Sequence, residues 1–245
     1  MNLAFVLLIS LFTGAIINFL TDTLPQDTLR PVCTFCGETM AWKDYMRWWQ
    51  PCSHCGKRRW RHGMVWVFML VVGAGLWLYQ PAWGFWPLWG LSVYALVVIV
   101  IDVEHHLILY EISAVGAVLG ATLGVWRHGI ASTLLGGLTG AGAMLLLYLI
   151  GNGYAAWKAA HTGAPHPEEP AMGFGDVTLM GALGLVLGWP GVFVGLTLGV
   201  FLGGLLGLLF LFYGLLRWRR LLTQAYIPYG PALVLGALLA ILLAR

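Results

Sequence analysis

Residues 88–102 read Leu88-Trp-Gly-Leu-Ser-Val-Tyr-Ala-Leu-Val-Val-Ile-Val-Ile-Asp102, an uncharged run that ends at a carboxylate. As a helix, the residues before Asp102 rise only about 21 Å, whereas the hydrocarbon core of a bilayer is roughly 30 Å thick. A membrane-spanning helix at this position must therefore begin before Leu88 or continue past Asp102. If it continues, Asp102 lies about one turn inside the membrane boundary.

The composition of the whole chain is that of a membrane protein. Of its 245 residues, 60% are hydrophobic and 9% are charged, compared with about 25% charged residues in soluble domains. The formal charge of +3 is small and dispersed, so the expected partner is membrane lipid and not nucleic acid. No Lys or Arg precedes the first apolar run, which is therefore interpreted as a retained helix and not a signal peptide.

Apolar runs of suitable length predict an all-α polytopic protein with about eight transmembrane helices. Only Trp189-Pro190 separates the sixth run from the seventh, and a tight turn is expected there because proline breaks helices. A single long, kinked helix, giving seven spans, is the alternative. The eight runs cover residues 3–20, 64–80, 87–106, 111–126, 130–150, 176–189, 191–213 and 228–244.

The distribution of basic residues predicts the orientation. Residues 21–63, 103–110, 151–175 and 214–227 would lie on one side and carry eleven Lys and Arg, while the other side carries two. The positive-inside rule assigns the basic side to the cytoplasm and the N-terminus to the outside.

A polar segment, residues 21–63, contains all four cysteines as Cys33-Thr-Phe-Cys36 and Cys52-Ser-His-Cys55. This spacing is typical of a four-cysteine zinc site. Four thiolates complete the tetrahedral shell of Zn²⁺, so the predicted zinc is structural. The segment is too small for its own core, and the metal would supply much of its folding free energy. The predicted organisation is a first helix over 1–20, a cytoplasmic zinc-binding loop over 21–63 and a helical domain over 64–245.

Two disulfides or four unbonded thiols are the alternatives to zinc. Disulfides are disfavoured because the predicted location of the segment is the reducing cytoplasm. His54 lies inside the second cysteine pair, but it is expected to stay outside the coordination shell because four cysteines are present.

Asp102 and Asp176 differ from most other carboxylates of the chain, which lie in evident loops. Asp176 precedes an apolar run that is even shorter than the one before Asp102, so the same length argument draws it into the membrane. The predicted topology places both aspartates at the cytoplasmic ends of their helices, where they can meet. The alternative is that each is an interfacial residue that caps a helix, with Asp176 as the N-cap of the following helix.

A carboxylate at this depth usually marks a cavity or a pathway. Two adjacent carboxylates cannot both ionise cheaply, so the pair is expected to share a proton. Peptide hydrolysis needs such a pair, because one group takes a proton from water and the other polarises the scissile carbonyl. Gly173, Phe174 and Gly175 form the predicted active-site loop, where an extended chain could approach closely. His105 and His106 are predicted to be interfacial anchors.

The ordered set of motifs resembles the type IV prepilin peptidases, which are aspartyl proteases of the G-x-G-D type. The resemblance covers nearly the whole chain and implies that Asp102 and Asp176 are the catalytic residues of an intramembrane endopeptidase. The similar stretches are Gly14 to Pro25, the two cysteine pairs, Ile101-Asp-Val-Glu-His105, Gly173-Phe-Gly-Asp176 and Ile227-Pro-Tyr-Gly-Pro231.

The resemblance also implies a substrate, a location and a second activity. Members of this family remove the leader peptide from type IV prepilins or pseudopilins at the cytoplasmic face of the bacterial inner membrane. Many also N-methylate the new N-terminus with S-adenosylmethionine. Two departures concern this methylation: Thr23 stands where the family usually has Arg, and Trp66 stands where it usually has Glu.

The competing hypothesis is a non-enzymatic membrane carrier or assembly scaffold with a structural zinc knuckle. Carriers also use buried carboxylates. They often consist of two related halves, however, and no convincing internal repeat is present in this sequence.

Overall fold

The computed structural model describes residues 2–26, 28, 30–33, 35–42, 45, 51–57, 59–79, 81–162, 173–218 and 229–243, with only the backbone described at 162 and 213–218. This part of the chain forms eight α-helices and no strand, apart from an isolated β-bridge between Val32 and Thr39. The helices are α1 (Leu3–Thr23), α2 (Trp60–Tyr79), α3 (Phe85–His105), α4 (Tyr110–His128), α5 (Ile130–Thr162), α6 (Phe174–Leu187), α7 (Gly191–Trp218) and α8 (Gly230–Leu243), and a 3₁₀ turn (Leu24–Gln26) follows α1.

Each predicted apolar run coincides with one of these helices, which confirms the all-α prediction. Among the described residues, α1, α2, α3, α5 and α7 are long and apolar enough to cross a membrane. Helices α6 and α8 are apolar but have only 14 residues each. The chain is therefore a multi-pass membrane protein with at least five helices of spanning length.

Helix α5 is longer than its apolar run. It continues to Thr162, whereas the hydrophobic pattern predicted an end at residue 150. The added residues include four alanines and no proline, and alanine is the strongest helix former. The interpretation of residues 151–175 as a loop is thus wrong for its first half. The rest of that loop, residues 163–172, lies outside the described residues, as do Ile227 and Pro228 of the last motif.

The predicted turn at Trp189-Pro190 separates α6 from α7. Helix α6 ends at Leu187, and Gly188 has a φ of 63°, a conformation that glycine adopts readily. The Trp189 N–H then donates to the carbonyl oxygen of Ser132, 2.9 Å away, and the Ser132 hydroxyl donates to the Trp189 carbonyl at 2.9 Å. Two separate helices are present, and the alternative of one kinked helix is wrong.

The chain divides into two compact units, residues 1–101 and 102–245. In the first unit α1 packs against α2, and a buried ionic cluster joins them. Arg61 forms an ion pair with Asp22, and the other Asp22 oxygen lies 2.9 Å from His62 Nε2. The Asn18 side-chain amide donates to the His62 carbonyl at 3.3 Å. Because a buried charge is costly without a partner, this cluster fixes how the two helices align.

Helix α6 is central to the second unit, where it contacts α4, α5, α7 and α8. Glycines on the neighbouring helices allow its backbone to approach closely. A Cβ at Gly140 of α5 would lie 2.5 Å from the carbonyl oxygen of Met180, and one at Gly120 of α4 would lie 2.5 Å from that of Ala182. Helix α6 is therefore held by backbone contacts along both α4 and α5.

We expect Gly140→Ala to lower the stability of the protein by about 1–3 kcal/mol, because the added methyl group would overlap the Met180 carbonyl. Gly142→Ala is the matched control, since nothing lies within 4 Å of a Cβ at that position of the same helix. Thermal unfolding of both purified variants in the same detergent measures the difference. An unchanged midpoint for Gly140→Ala would contradict close α5–α6 packing.

Candidate active site and metal centre

Asp102 lies in the last turn of α3, since the helix continues to His105. The residue is only 3% exposed. Its Oδ2 accepts a hydrogen bond from the backbone N–H of Gly230, with an N···O distance of 2.9 Å. Gly230 is the first residue of α8, so the carboxylate at the end of one helix meets the start of another.

Asp176 is the third residue of α6 and is also buried. The N-cap of α6 is Gly173, and no side chain caps the helix. The alternative interpretation of Asp176 as the N-cap is therefore wrong. Asp176 lies within electrostatic range of Asp102. The structure thus brings together the two carboxylates that the sequence singled out, although 74 positions separate them in the chain.

The segment predicted as an active-site loop is mostly helical. Gly173 has an extended backbone, whereas Phe174 and Gly175 already belong to the first turn of α6. A Cβ at Gly175 would lie 2.7 Å from the Cβ of Ile108. The close approach that this glycine permits is thus made by the connection between α3 and α4, whereas the nearest described atom to a Cβ at Gly173 is the Gly175 backbone nitrogen, 4.0 Å away.

The two histidines after Asp102 have different positions. His105 is the last residue of α3. His106 has a φ of 54°, and its N–H donates to the Asp102 carbonyl at 3.0 Å, so it ends the helix and does not extend it. His106 nevertheless lies within electrostatic range of the Asp102 carboxylate. The left-handed backbone of His106 turns the chain towards α4.

Two features of this site could not be predicted from the sequence. A pair of hydroxyl groups joins α4 to α6: Thr178 donates to the Gly175 carbonyl at 2.9 Å and accepts from Ser113, 3.0 Å away. The second feature is the amide of Gly230. The motif around Gly230 was recognised, but the sequence carries no signal that its N–H faces Asp102, and single hydroxyl residues are too common to stand out.

The four cysteines lie on two matching turns. The Cys33 N–H donates to the Glu38 carbonyl at 2.9 Å, and the Gly37 N–H donates back to the Cys33 carbonyl at 2.9 Å. The second turn repeats this pattern between Cys52, Gly56 and Lys57, at 3.0 and 2.9 Å. Gly37 and Gly56 both have a positive φ, 73° and 67°, and each turn therefore directs two thiols towards the same point.

The resulting cluster fits a tetrahedral metal ion. All four Sγ atoms lie within 4.8 Å of one another, and two of the pairs are separated by 3.8 and 4.0 Å. Zinc–sulfur bonds of about 2.3 Å in a tetrahedron require sulfur–sulfur distances of about 3.8 Å. These separations also exclude disulfide bonds, and the cysteines are free. His54 is not part of the cluster.

The thiols of this cluster have different surroundings. Burial raises the pKa of the Cys33 thiol to about 12. Burial acts in the same direction at Cys52, but backbone N–H groups of Cys55 and His54 donate to its sulfur, and the pKa of Cys52 falls to about 6. A cation held between the sulfurs would favour the thiolate form of each of them.

The two departures from the family pattern have structural roles in the first unit. The Thr23 hydroxyl donates to the carbonyl of Phe19 in its own helix at 2.8 Å. The Trp66 indole of α2 packs against Gly14 of α1, so closely that a Cβ at Gly14 would overlap it. Neither side chain supplies the charge that the usual family residue would bring.

Comparison with known proteins is consistent with this site. No curated protein sequence and no solved structure gave a significant match to the chain. A family model does match, over residues 89–208, and this range includes Asp102 and Asp176. The matching model is that of the type IV leader peptidase family, so residues 89–208 of the chain are similar to this family.

Proposed function

We propose that this protein is an intramembrane aspartyl endopeptidase that removes the leader from type IV prepilins or pseudopilins. The observation that carries the proposal is the proximity of two buried carboxylates, Asp102 and Asp176, on helices from distant parts of the chain. The similarity of this region to a leader peptidase family favours a peptidase over a carrier or scaffold with buried charges.

The two carboxylates would act as a pair with one shared proton. The ionised carboxylate takes a proton from water while the water oxygen bonds to the scissile carbonyl carbon. The protonated carboxyl group hydrogen-bonds to the carbonyl oxygen, where negative charge develops. When the C–N bond breaks, the leaving amine takes up a proton from the pair, which returns the site to its starting state.

The substrate class and the orientation are part of the proposal. Prepilins carry an apolar helix after the leader, so a peptidase site among membrane helices is reached by a substrate in the same bilayer. The eleven basic residues predicted on one side and the two on the other support a cytoplasmic location of the site and an external N-terminus. With α4 and the two short helices α6 and α8 included as spans, eight helices would cross the bacterial inner membrane.

The four cysteines are proposed to bind one structural Zn²⁺ through Cys33, Cys36, Cys52 and Cys55. The sulfur separations given above fit its tetrahedral coordination, and four protein ligands leave no position for a substrate. The cysteine segment is too small for a core of its own, and its Met40 and Tyr45 pack with the buried cysteines and with Phe19 of α1. Metal binding would therefore contribute much of its folding free energy.

No described feature favours the second family activity, methylation with S-adenosylmethionine. An acidic group is missing at position 66, and the Trp66 side chain is used in packing against α1. The proposal is therefore limited to cleavage, and the mass of the trimmed product shows whether a methyl group is added.

We expect Asp102→Asn and Asp176→Asn each to lower the rate of prepilin cleavage by about 100-fold or more, since each removes one half of the acid–base pair. The assay uses the purified protein in detergent with a prepilin that has a leader, a glycine and an apolar helix, and mass spectrometry identifies the product. Glu111→Gln is the control, because Glu111 is an exposed carboxylate in the first turn of α4. Cleavage by the double Asn variant at the wild-type rate would reject the mechanism.

We expect Cys33→Ser to release about one equivalent of zinc and to lower the thermal unfolding midpoint, because the tetrahedral shell loses a ligand. His54→Ala should keep both its metal content and its stability. Elemental analysis of the purified variants, together with thermal unfolding with and without a chelator, provides the measurement. Wild-type protein that contains no zinc and is insensitive to chelator would contradict a structural metal.

A further inference from the structure

We propose that Gly230 is a positioning residue whose backbone N–H holds Asp102 as the ionised, proton-accepting member of the pair, so that the proton stays on Asp176. The inference rests on the proposed peptidase function and assigns the two acid–base roles within it. Gly230 acts through Asp102 and need not touch the substrate.

At the start of α8, one backbone N–H is available to donate a hydrogen bond to Asp102. The first N–H groups of a helix have no partners within the helix itself. The N–H groups of Ala232 and Leu233 donate to the carbonyl of the residue before α8, at 3.1 and 3.2 Å, and Pro231 has no N–H. The N–H of Gly230 remains, and it donates to Asp102 Oδ2 at 2.9 Å.

Only glycine fits at this position. A Cβ on residue 230 would lie 2.7 Å from Asp102 Oδ2, 3.2 Å from Asp102 Cγ and 3.5 Å from Ile108 Cδ1. Any side chain would therefore displace the carboxylate or break its hydrogen bond. Ile108 is also the close neighbour of Gly175, the residue before Asp176. Two glycines thus fit against one side chain, and each is adjacent to one of the two carboxylates.

The two carboxylates differ in the donors that face them. Asp102 accepts a backbone N–H at the start of α8, where the helix dipole also favours negative charge, and His106 lies within electrostatic range. Asp176 also lies in the first turn of a helix, but among the described residues no donor is hydrogen-bonded to its carboxylate. Since both groups cannot ionise cheaply at short range, the charge belongs on Asp102 and the proton on Asp176.

This assignment specifies each proton transfer. Asp102 accepts a proton from water as the water oxygen bonds to the carbonyl carbon, and Asp176 gives its proton to the carbonyl oxygen. On collapse of the tetrahedral intermediate, the C–N bond breaks and the amine leaves with the proton held by Asp102. The hydroxyl proton of the intermediate returns to Asp176, and both groups regain their starting states.

The test removes the amide proton without adding bulk. Replacing Gly230 with glycolic acid during cell-free synthesis exchanges the N–H for an ester oxygen, and the expected result is a fall in kcat of about 10- to 100-fold with KM unchanged. Replacing Ala232 with lactic acid is the matched control, because its N–H donates to the same carbonyl before α8 and not to Asp102. Gly230→Ala should lose activity by overlap, and Gly204→Ala, with nothing within 4 Å of its Cβ, should keep it.

An infrared measurement tests the charge assignment without any substrate. The carbonyl stretch of a protonated carboxyl group should be no stronger in Asp176→Asn than in the double variant Asp102→Asn/Asp176→Asn, because Asp102 stays ionised. Excess absorbance in Asp176→Asn would place a proton on Asp102 and overturn the inference.

The kinetic outcomes separate this inference from the proposed function. Cleavage by the wild type together with an unchanged kcat in the glycolic acid variant overturns the role of Gly230 but leaves the peptidase intact. A wild type that cleaves no prepilin overturns the peptidase, and the infrared comparison still decides whether Asp102 carries the charge.

Discussion

A carboxylate that is buried among apolar helices is stable only if something offsets the loss of water around it. Among the described residues, the hydrogen bond that offsets this loss for Asp102 comes from a backbone amide at the start of α8, 2.9 Å away. The need of the buried carboxylate for this hydrogen-bond donor explains three local features. Helix α3 must continue just past Asp102, α8 must begin at that depth, and its first residue must be glycine because a Cβ would meet the carboxylate.

The position of Asp176 depends on a different kind of contact. Its helix, α6, has only 14 residues, too few to be held by length alone, yet it contacts four other helices of the second unit. The glycines of α4 and α5 let those helices rest against its backbone carbonyls, and the Ser113–Thr178 hydroxyl pair ties its first turns to α4. Close packing therefore determines where the second carboxylate lies, as hydrogen bonding does for the first.

Much of this arrangement could be predicted from sequence, because membrane helices are long and proline or glycine interrupts them clearly. The length of the apolar run required a helix that begins before Leu88 or continues past Asp102, and α3 does both. The turn at Trp189-Pro190 was predicted at the right place. The end of α5 was not, because alanine-rich residues extend a helix beyond its apolar run. The roles of Gly230 and Ile108 depend on contacts between segments far apart in the chain, and local patterns carry no information about them.

In the first unit, the segment that contains the four cysteines also depends on giving its buried polar groups specific partners. Its two turns have the same hydrogen bonds and the same positive-φ glycine, so each one is a local structure that the sequence C-x-x-C-G can specify by itself. Joining the two turns is a separate requirement, because the segment is too small to hold a core of its own. The four thiols are close enough together to join the two turns as the ligands of one metal ion, which is the proposed role of zinc. The ionic cluster of Asp22, Arg61 and His62 lies where this segment joins α1 and α2, and there the buried Asp22 carboxylate has its partners on the neighbouring helix.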